Sequence, residues 1–316
     1  MERQRRSASG TRNGANDPPL DDETGAEGRP GRPGSKPAAG LYLVATPIGN
    51  LRDITLRALD VLAGADVVAC EDTRVTGKLL RLLGIKASLT PYHDHNADKA
   101  RPALLAKLEA GGVVALVSDA GTPLVSDPGF RLVRACIERG VTVTAVPGPS
   151  AALTGLQLSG LPSERFLFAG FLPPRGAGRR AVLKELEAAP ATLVFFESPN
   201  RVAEALGDMA TVLGNRDAAV ARELTKLYEE VARAPLFDLA NRYAETPPRG
   251  EVVIVVAPPG EGAAIGPEEI EARLRAAIAE GSSVKDASAL VAAETGHPRR
   301  DVYAAALRLL RGGNEE

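Results

Sequence analysis

Two short polar runs stand directly behind apolar, strand-like segments: Glu71-Asp72-Thr73-Arg74 after Val67–Cys70, and Tyr92-His93-Asp94-His95-Asn96 a little further on. Carboxylates and imidazoles are the side chains that take up a proton near neutral pH, so Glu71, Asp72 and His93 are candidates for a general base. The same residues have plainer uses. Asp72 and Thr73 suit the first turn of a helix, where a side-chain oxygen accepts a backbone N–H. His93 and His95 have the spacing of neighbours on one face of a strand, which suggests a metal pair. Only Asp94 or Asp98 stands nearby as a third ligand, so no metal is expected. A further carboxylate, Asp119, lies in the loop Ser118-Asp119-Ala120-Gly121-Thr122-Pro123. It suits a ligand's amino or hydroxyl groups, or an ordinary turn.

Such groups need elements to hold them, and the chain supplies three of one design. LYLVATPIGN, VVALVSDAGTP and VTVTAVPGPS each run from an uninterrupted apolar segment into a loop of Gly, Pro, Ser, Asp or Asn. An unbroken apolar run fits a strand covered on both faces, hence a parallel α/β sheet whose ligand sits beyond the carboxyl ends of its strands. Gly49, Gly121 and Gly148 permit positive φ or close backbone approach, while Pro47, Pro123, Pro147 and Pro149 stiffen the loops. None of the three is GxGxxG or GxxxxGK[ST], which leaves dinucleotide and P-loop readings without support.

Around these loops the pattern alternates strand and helix. Asp53 or Thr55 caps a helix to about Ala63, and further helices are expected over Val75–Leu83, from about Lys99 to Ala110, and over Phe130–Arg139. This gives an N-terminal α/β domain over 41–150. A second α/β domain over 161–258 has strands at Phe166–Phe171, Thr192–Phe196, Ala218–Arg222 and Glu251–Val256, with a basic loop at 173–180. Residues 266–312 read as a helical segment whose last two helices join at Thr295-Gly296-His297, either a helix-turn-helix or a plain packed pair. Residues 1–40 are dense in Gly, Pro, Arg and acids and are expected as a disordered tail.

Composition sets limits. The 316 residues carry 38 Lys and Arg against 40 Asp and Glu, a net charge of −2, so any nucleic-acid contact depends on local basic clusters. Arg74, Lys78 and Arg81 recur at helical spacing, and Arg175, Arg179, Arg180 and Lys184 form a second group. Cys70 and Cys136 lie in apolar segments without metal-ligand spacing, as reduced thiols of a cytoplasmic protein do. No apolar run is long enough to span a bilayer.

The loop sequences Pro47-Ile48-Gly49-Asn50-Leu51-Arg52-Asp53-Ile54-Thr55, Ser118–Pro123 and Val146-Pro147-Gly148-Pro149-Ser150 resemble successive loops of the tetrapyrrole methylase superfamily. EDTR, YHDHN, SDAGTPLVSDPG, GFLPPR, ARELTK and RGE resemble one branch of it, the small-subunit ribosomal RNA methyltransferases acting on the ribose 2′-hydroxyl of a cytidine in 16S rRNA. Gly49-Asn50-Leu51 stands where corrin-modifying relatives tend to carry Gly-Asp-Pro, which favours the RNA branch.

The resemblance implies a two-domain fold with a cofactor cleft between the domains, S-adenosylmethionine as cofactor, and a homodimer. It places Pro47, Gly49, Asp119, Ala120, Gly121, Thr122, Pro147, Gly148, Pro149 and Ser150 near that cofactor. Arg74, His95, Asn96, Arg175, Arg179 and Arg201 are its candidates for RNA contact. For EDTR three readings stay open: a base at Glu71 or Asp72, Arg74 on a phosphate, or a helix-capping turn.

Overall fold

The computed structural model describes residues 36–260, 267–279, 281–295 and 299–312. The expected tail over 1–40 lies outside the described residues up to position 35. Beyond that, Lys36 pairs with Asp66 at 2.9 Å and the first strand already begins at Gly40.

Two compact units divide the chain. One holds the described residues up to Pro47 together with Leu51–Pro149; the other holds Ile48–Asn50 and the described residues from Ser150 onward.

The first unit is a five-stranded parallel sheet of β1 (Gly40–Val44), β2 (Val67–Cys70), β3 (Leu89–Pro91), β4 (Val113–Val117) and β5 (Val143–Val146), in the order β3-β2-β4-β1-β5. Alternation along these strands feeds two cores. Leu41, Val67, Ala69, Val114 and Leu116 face α3 (Ala97–Glu109) and α4 (Phe130–Glu138), burying Leu104, Leu105, Leu108 and Leu132. Tyr42, Val44, Val68, Ala115 and Val117 face α1 (Leu56–Gly64) and α2 (Thr73–Leu82) over Val61, Leu62 and Leu80. Burial on both faces explains why the strands read as continuous apolar runs. The cap of α1 is Thr55, whose hydroxyl accepts the Ala58 N–H at 3.1 Å.

The second unit is built on β6 (Phe166–Phe171), β7 (Thr192–Glu197), β8 (Asp217–Arg222), β9 (Glu230–Pro235) and β10 (Val252–Val256), ordered β6-β7-β10-β8-β9. Only β6 and β7 are parallel; the other pairs are antiparallel. Its helices are α5 (Ala151–Ser159), α6 (Gly176–Leu186), α7 (Val202–Leu213) and α8 (Leu236–Glu245). The last three cover one face, while α5 covers the other beside Ile48. Gly155 lets α5 lie close: a Cβ there would come within 2.7 Å of Val253 Cγ1.

Three further helices, α9 (Pro267–Ala279), α10 (Val284–Thr295) and α11 (Arg299–Gly312), share a core of Ile270, Leu274, Ala287, Val291, Val302 and Ala306. The expected joint at Gly296-His297 lies outside the described residues.

Candidate active site

Because the first sheet is parallel, the loops that follow its strands leave at one edge. Those loops are bonded into one frame. Thr46 and Gly121 exchange N–H···O bonds of 2.9 and 3.0 Å. The Thr46 hydroxyl donates to the Ser118 carbonyl at 3.3 Å, and that of Thr122 to the Pro149 carbonyl at 3.0 Å. At Gly148 a Cβ would meet the Ala45 Cβ at 3.0 Å. Pro47, Ala120, Gly121, Thr122, Pro147, Gly148 and Pro149 thus belong to a single backbone cradle, in which Gly121 has φ of 83°. Asp119 ties in a fourth loop, its Oδ1 accepting the Asp72 N–H at 3.1 Å.

The segment after this cradle is strained. Leu124 and Ser126 hold φ of 73° and 65°, values that side chains other than glycine seldom adopt. Such strain persists where the surroundings over-determine it, often at functional sites. The segment carries Asp127, whose carboxyl is pushed up to about 6 by burial and, less strongly, by the charges of Glu71 and Asp119, against the Ser118 hydroxyl bond. Glu71 is raised too, by desolvation first and then by Asp119 and Asp94, with His93 opposing. Sequence reasoning missed Asp127; its only signal was the Asp-Pro-Gly inside SDAGTPLVSDPG.

For EDTR the structure favours the capping turn. Asp72 is the N-cap of α2, accepting the Arg74 N–H at 2.8 Å and pairing with its guanidinium at 2.6 Å. Hydrogen bonds from Arg74 lower the Asp72 carboxyl to about 2. A carboxylate that acidic is a weak proton acceptor near neutral pH. The Arg74 side chain is 89% exposed.

The histidine turn is braced from within. Asn96 Oδ1 accepts the His93 N–H at 2.9 Å and Asn96 Nδ2 donates to the Pro91 carbonyl at 2.9 Å, so its amide shapes the turn instead of facing outward. The His93 and His95 rings meet edge to face, with centroids 6.1 Å apart. Asp94 and His95 are exposed.

Other expected site residues lie in the second unit. Gly49 packs on the turn Glu223–Lys226, where a Cβ would come 2.5 Å from Lys226 Cγ and 2.8 Å from the Leu224 carbonyl oxygen. The Asn50 N–H donates to Thr225 Oγ1 at 3.0 Å, and Lys226 Nζ donates to Glu223 and Glu251 at 2.9 and 3.0 Å. The first loop, ARELTK and RGE therefore meet in one cluster. Ser150 caps α5, accepting the Leu153 N–H.

Arg179, expected at an RNA surface, is instead an interior residue, 3% exposed, with Nε 2.6 Å from Asp208 Oδ2 and Nη2 3.4 Å from Glu204. Its apolar stem and its carboxylate partners on α7 draw it inward. Arg201 is likewise engaged: Nη2 donates to the Leu172 and Pro173 carbonyls at 2.7 and 3.1 Å and lies 3.3 Å from Glu197 Oε2, too poorly aligned there for a hydrogen bond. Glu197 is 2% exposed, and burial raises its carboxyl against the opposing Ser198 N–H, Arg201 and Arg179. Arg175 and Arg180 remain at the surface.

Residues 40–240 match the tetrapyrrole (corrin/porphyrin) methylases and residues 264–310 the RsmI C-terminal HTH domain. A ribosomal RNA small subunit methyltransferase I from Mesorhizobium japonicum is 54% identical over 271 residues, 85% of this chain and 92% of its own. The protein of the same name from Escherichia coli O157:H7 is 47% identical over 273 residues, 84% and 94% of the two chains. This chain belongs to that family.

It is accordingly a methyltransferase, and S-adenosylmethionine is its methyl donor. The solved uroporphyrin-III C-methyl transferase from Thermus thermophilus complexed with S-adenyl homocysteine is 23% identical, with a TM-score of 0.50 over 69% of this chain and 97% of that one, a likeness of fold. The cradle is compatible with such a donor: an added Cβ at Gly148 would crowd Ala45 Cβ at 3.0 Å, and Asp119 carries a carboxylate, a group that accepts from amines and hydroxyls.

Proposed function

We propose that this protein methylates the ribose 2′-hydroxyl of a cytidine in the 16S rRNA of the small ribosomal subunit, in the decoding region, working in the cytoplasm as a homodimer. The observation that carries the reading is near-full-length kinship with small subunit methyltransferases, on a chain whose three cradle loops are intact and mutually bonded.

The bound donor supplies a sulfonium methyl that is already electrophilic. The protein's tasks are to align that methyl with the 2′-oxygen and to receive a proton. Alignment falls to the loops after β1, β4 and β5, and is worth an effective molarity of about 10⁵ M or more. Asp127 and Glu71 are the proton acceptors, because both are raised toward neutrality and both feel Asp119. The 2′-hydroxyl would give its proton to one of these carboxylates as its oxygen takes the methyl group that bound S-adenosylmethionine would supply, with the donor's thioether as the leaving group. Such a base contributes roughly 10²–10⁴-fold.

Labelled methyl transfer to 30S subunits lacking the modification tests the reading. Nuclease mapping to a 2′-O-methylcytidine supports it; tight donor binding without transfer to the subunit overturns it.

A further inference from the structure

Between the C-terminal half of α2 and the segment that leads into β3 lies an open groove of about 410 Å³. Its floor is apolar, with Leu80, Ile85 and Leu89, and its rim carries Arg81 and Lys86. Both rim cations are exposed, as is Lys78 one helical turn before Arg81. Among the described residues none of the three pairs with a carboxylate, whereas Arg74 at the start of the same helix is held by Asp72.

Gly77 forms part of the groove wall. Glycine inside a helix costs about 0.5–1 kcal/mol relative to alanine. Packing does not demand it at this place: an added Cβ would meet only Leu89 Cδ1, at an ordinary 3.5 Å. What the missing side chain preserves is the width of the groove.

We infer that this groove receives a stretch of the RNA substrate's sugar–phosphate backbone, outside the nucleotide that is methylated. The occupant follows from the charges. Unpaired cations on the rim of a concave surface neutralise phosphates and release counterions, while the apolar floor accommodates the ribose face. α2 begins at the EDTR turn beside the candidate bases, and at about 1.5 Å per residue the step from Arg74 to Arg81 is roughly 10 Å. A chain lying along α2 would thus run out from the reacting nucleotide. The local basic surface also explains how a chain of net charge −2 engages a polyanion. The inference rests on the RNA substrate proposed above.

Two variants test it, Arg81→Glu combined with Lys86→Glu, and Gly77→Leu, which fills the groove without altering charge. KM for 30S subunits, binding to naked 16S rRNA over a salt series, S-adenosylmethionine affinity and thermal unfolding are measured for each. The double variant should weaken RNA binding at least about 10-fold and flatten the salt dependence by about one unit per lost phosphate contact. Gly77→Leu should weaken binding with the salt slope largely kept. Donor affinity should stay at the wild-type value in both, and neither variant should unfold at a lower temperature than wild type. If wild-type protein methylates subunits and both variants bind RNA as tightly as it does, the groove inference fails alone. Weaker binding to subunits with naked rRNA unaffected would make the occupant a ribosomal protein and overturn it as well. Wild-type protein that methylates neither RNA sinks the substrate reading itself, and the groove with it.

Discussion

One oxygen of the Asp119 carboxylate accepts the backbone N–H of Asp72 at 3.1 Å. Two residues 47 apart in sequence are joined, so the loop after β4 is tethered to the helix start after β2. With the donor-binding role proposed for it, Asp119 would serve structure and binding together.

Replacing Asp119 separates those roles. Asp119→Asn keeps an acceptor for the Asp72 N–H and should unfold within a few degrees of wild type, while donor affinity falls by about tenfold through loss of a charged acceptor. Asp119→Ala should lose affinity and also stability, by about 1–2 kcal/mol for the orphaned N–H. Calorimetric titration and thermal unfolding of the pair decide it; equal unfolding temperatures for Asn and Ala would remove the tether from the account.

Asp127 should reveal itself through pH. Its folded value of about 6 lies above the ordinary 3.8, so folding favours the neutral form. That contribution is complete below pH of about 4 and is lost as pH rises through about 6. Asp127→Asn should therefore be as stable as wild type in acid and more stable by roughly 1–2 kcal/mol at pH 8. In the same variant the limb of kcat/KM near pH 6 should disappear. A limb that persists unchanged in Asp127→Asn would assign it to another group.

The neighbouring carboxylates of EDTR should respond in opposite ways. Asp72→Asn preserves a good helix cap and removes a carboxylate too acidic to act as a base, so kcat should stay within a factor of about three. Glu71→Gln removes a raised carboxyl beside Asp119 and should lower kcat by about 10²-fold with donor affinity unchanged. Single-turnover methyl transfer distinguishes the two, and the reverse ranking would return the base to Asp72.

Arg201 is predicted to matter for stability. Arg201→Met frees the Leu172 and Pro173 carbonyls and leaves Glu197 buried without its closest cation. Removing one partner of a buried pair costs about 3–5 kcal/mol, and adding Glu197→Gln should restore part of it. Denaturant unfolding of the single and double variants measures the recovery; none would mean that the carbonyl bonds carry the whole effect.

Gly49 offers the sharpest steric test. A Cβ there overlaps Lys226 Cγ and crowds the Leu224 carbonyl, so Gly49→Ala should destabilise the second unit by about 1–3 kcal/mol. Truncating the obstacle with Lys226→Ala should relieve part of the cost, as a double-mutant cycle would show.

Much of this protein was decided locally and could be read in the sequence. The buried strands β1, β2 and β4 declared themselves as apolar runs because both faces of their sheet are covered. The sequence narrowed the cap of α1 to Asp53 or Thr55, since capping involves residues three apart, and the structure makes it Thr55. The loop motifs carried the family, because a ligand cradle made of backbone demands Gly and Pro at fixed places whatever surrounds them. Tertiary structure decided what depends on partners distant in the chain. The sequence could not show that Gly49 rests on a turn near position 225, or that Arg179 turns inward to Asp208 while Arg180 stays at the surface. Nor could it show that Asp127 shares the field of Glu71. Whether a carboxylate is a cap or a base is set by desolvation and by neighbouring charges. Those quantities exist only once the chain has folded and brought strand ends from remote segments to a common edge.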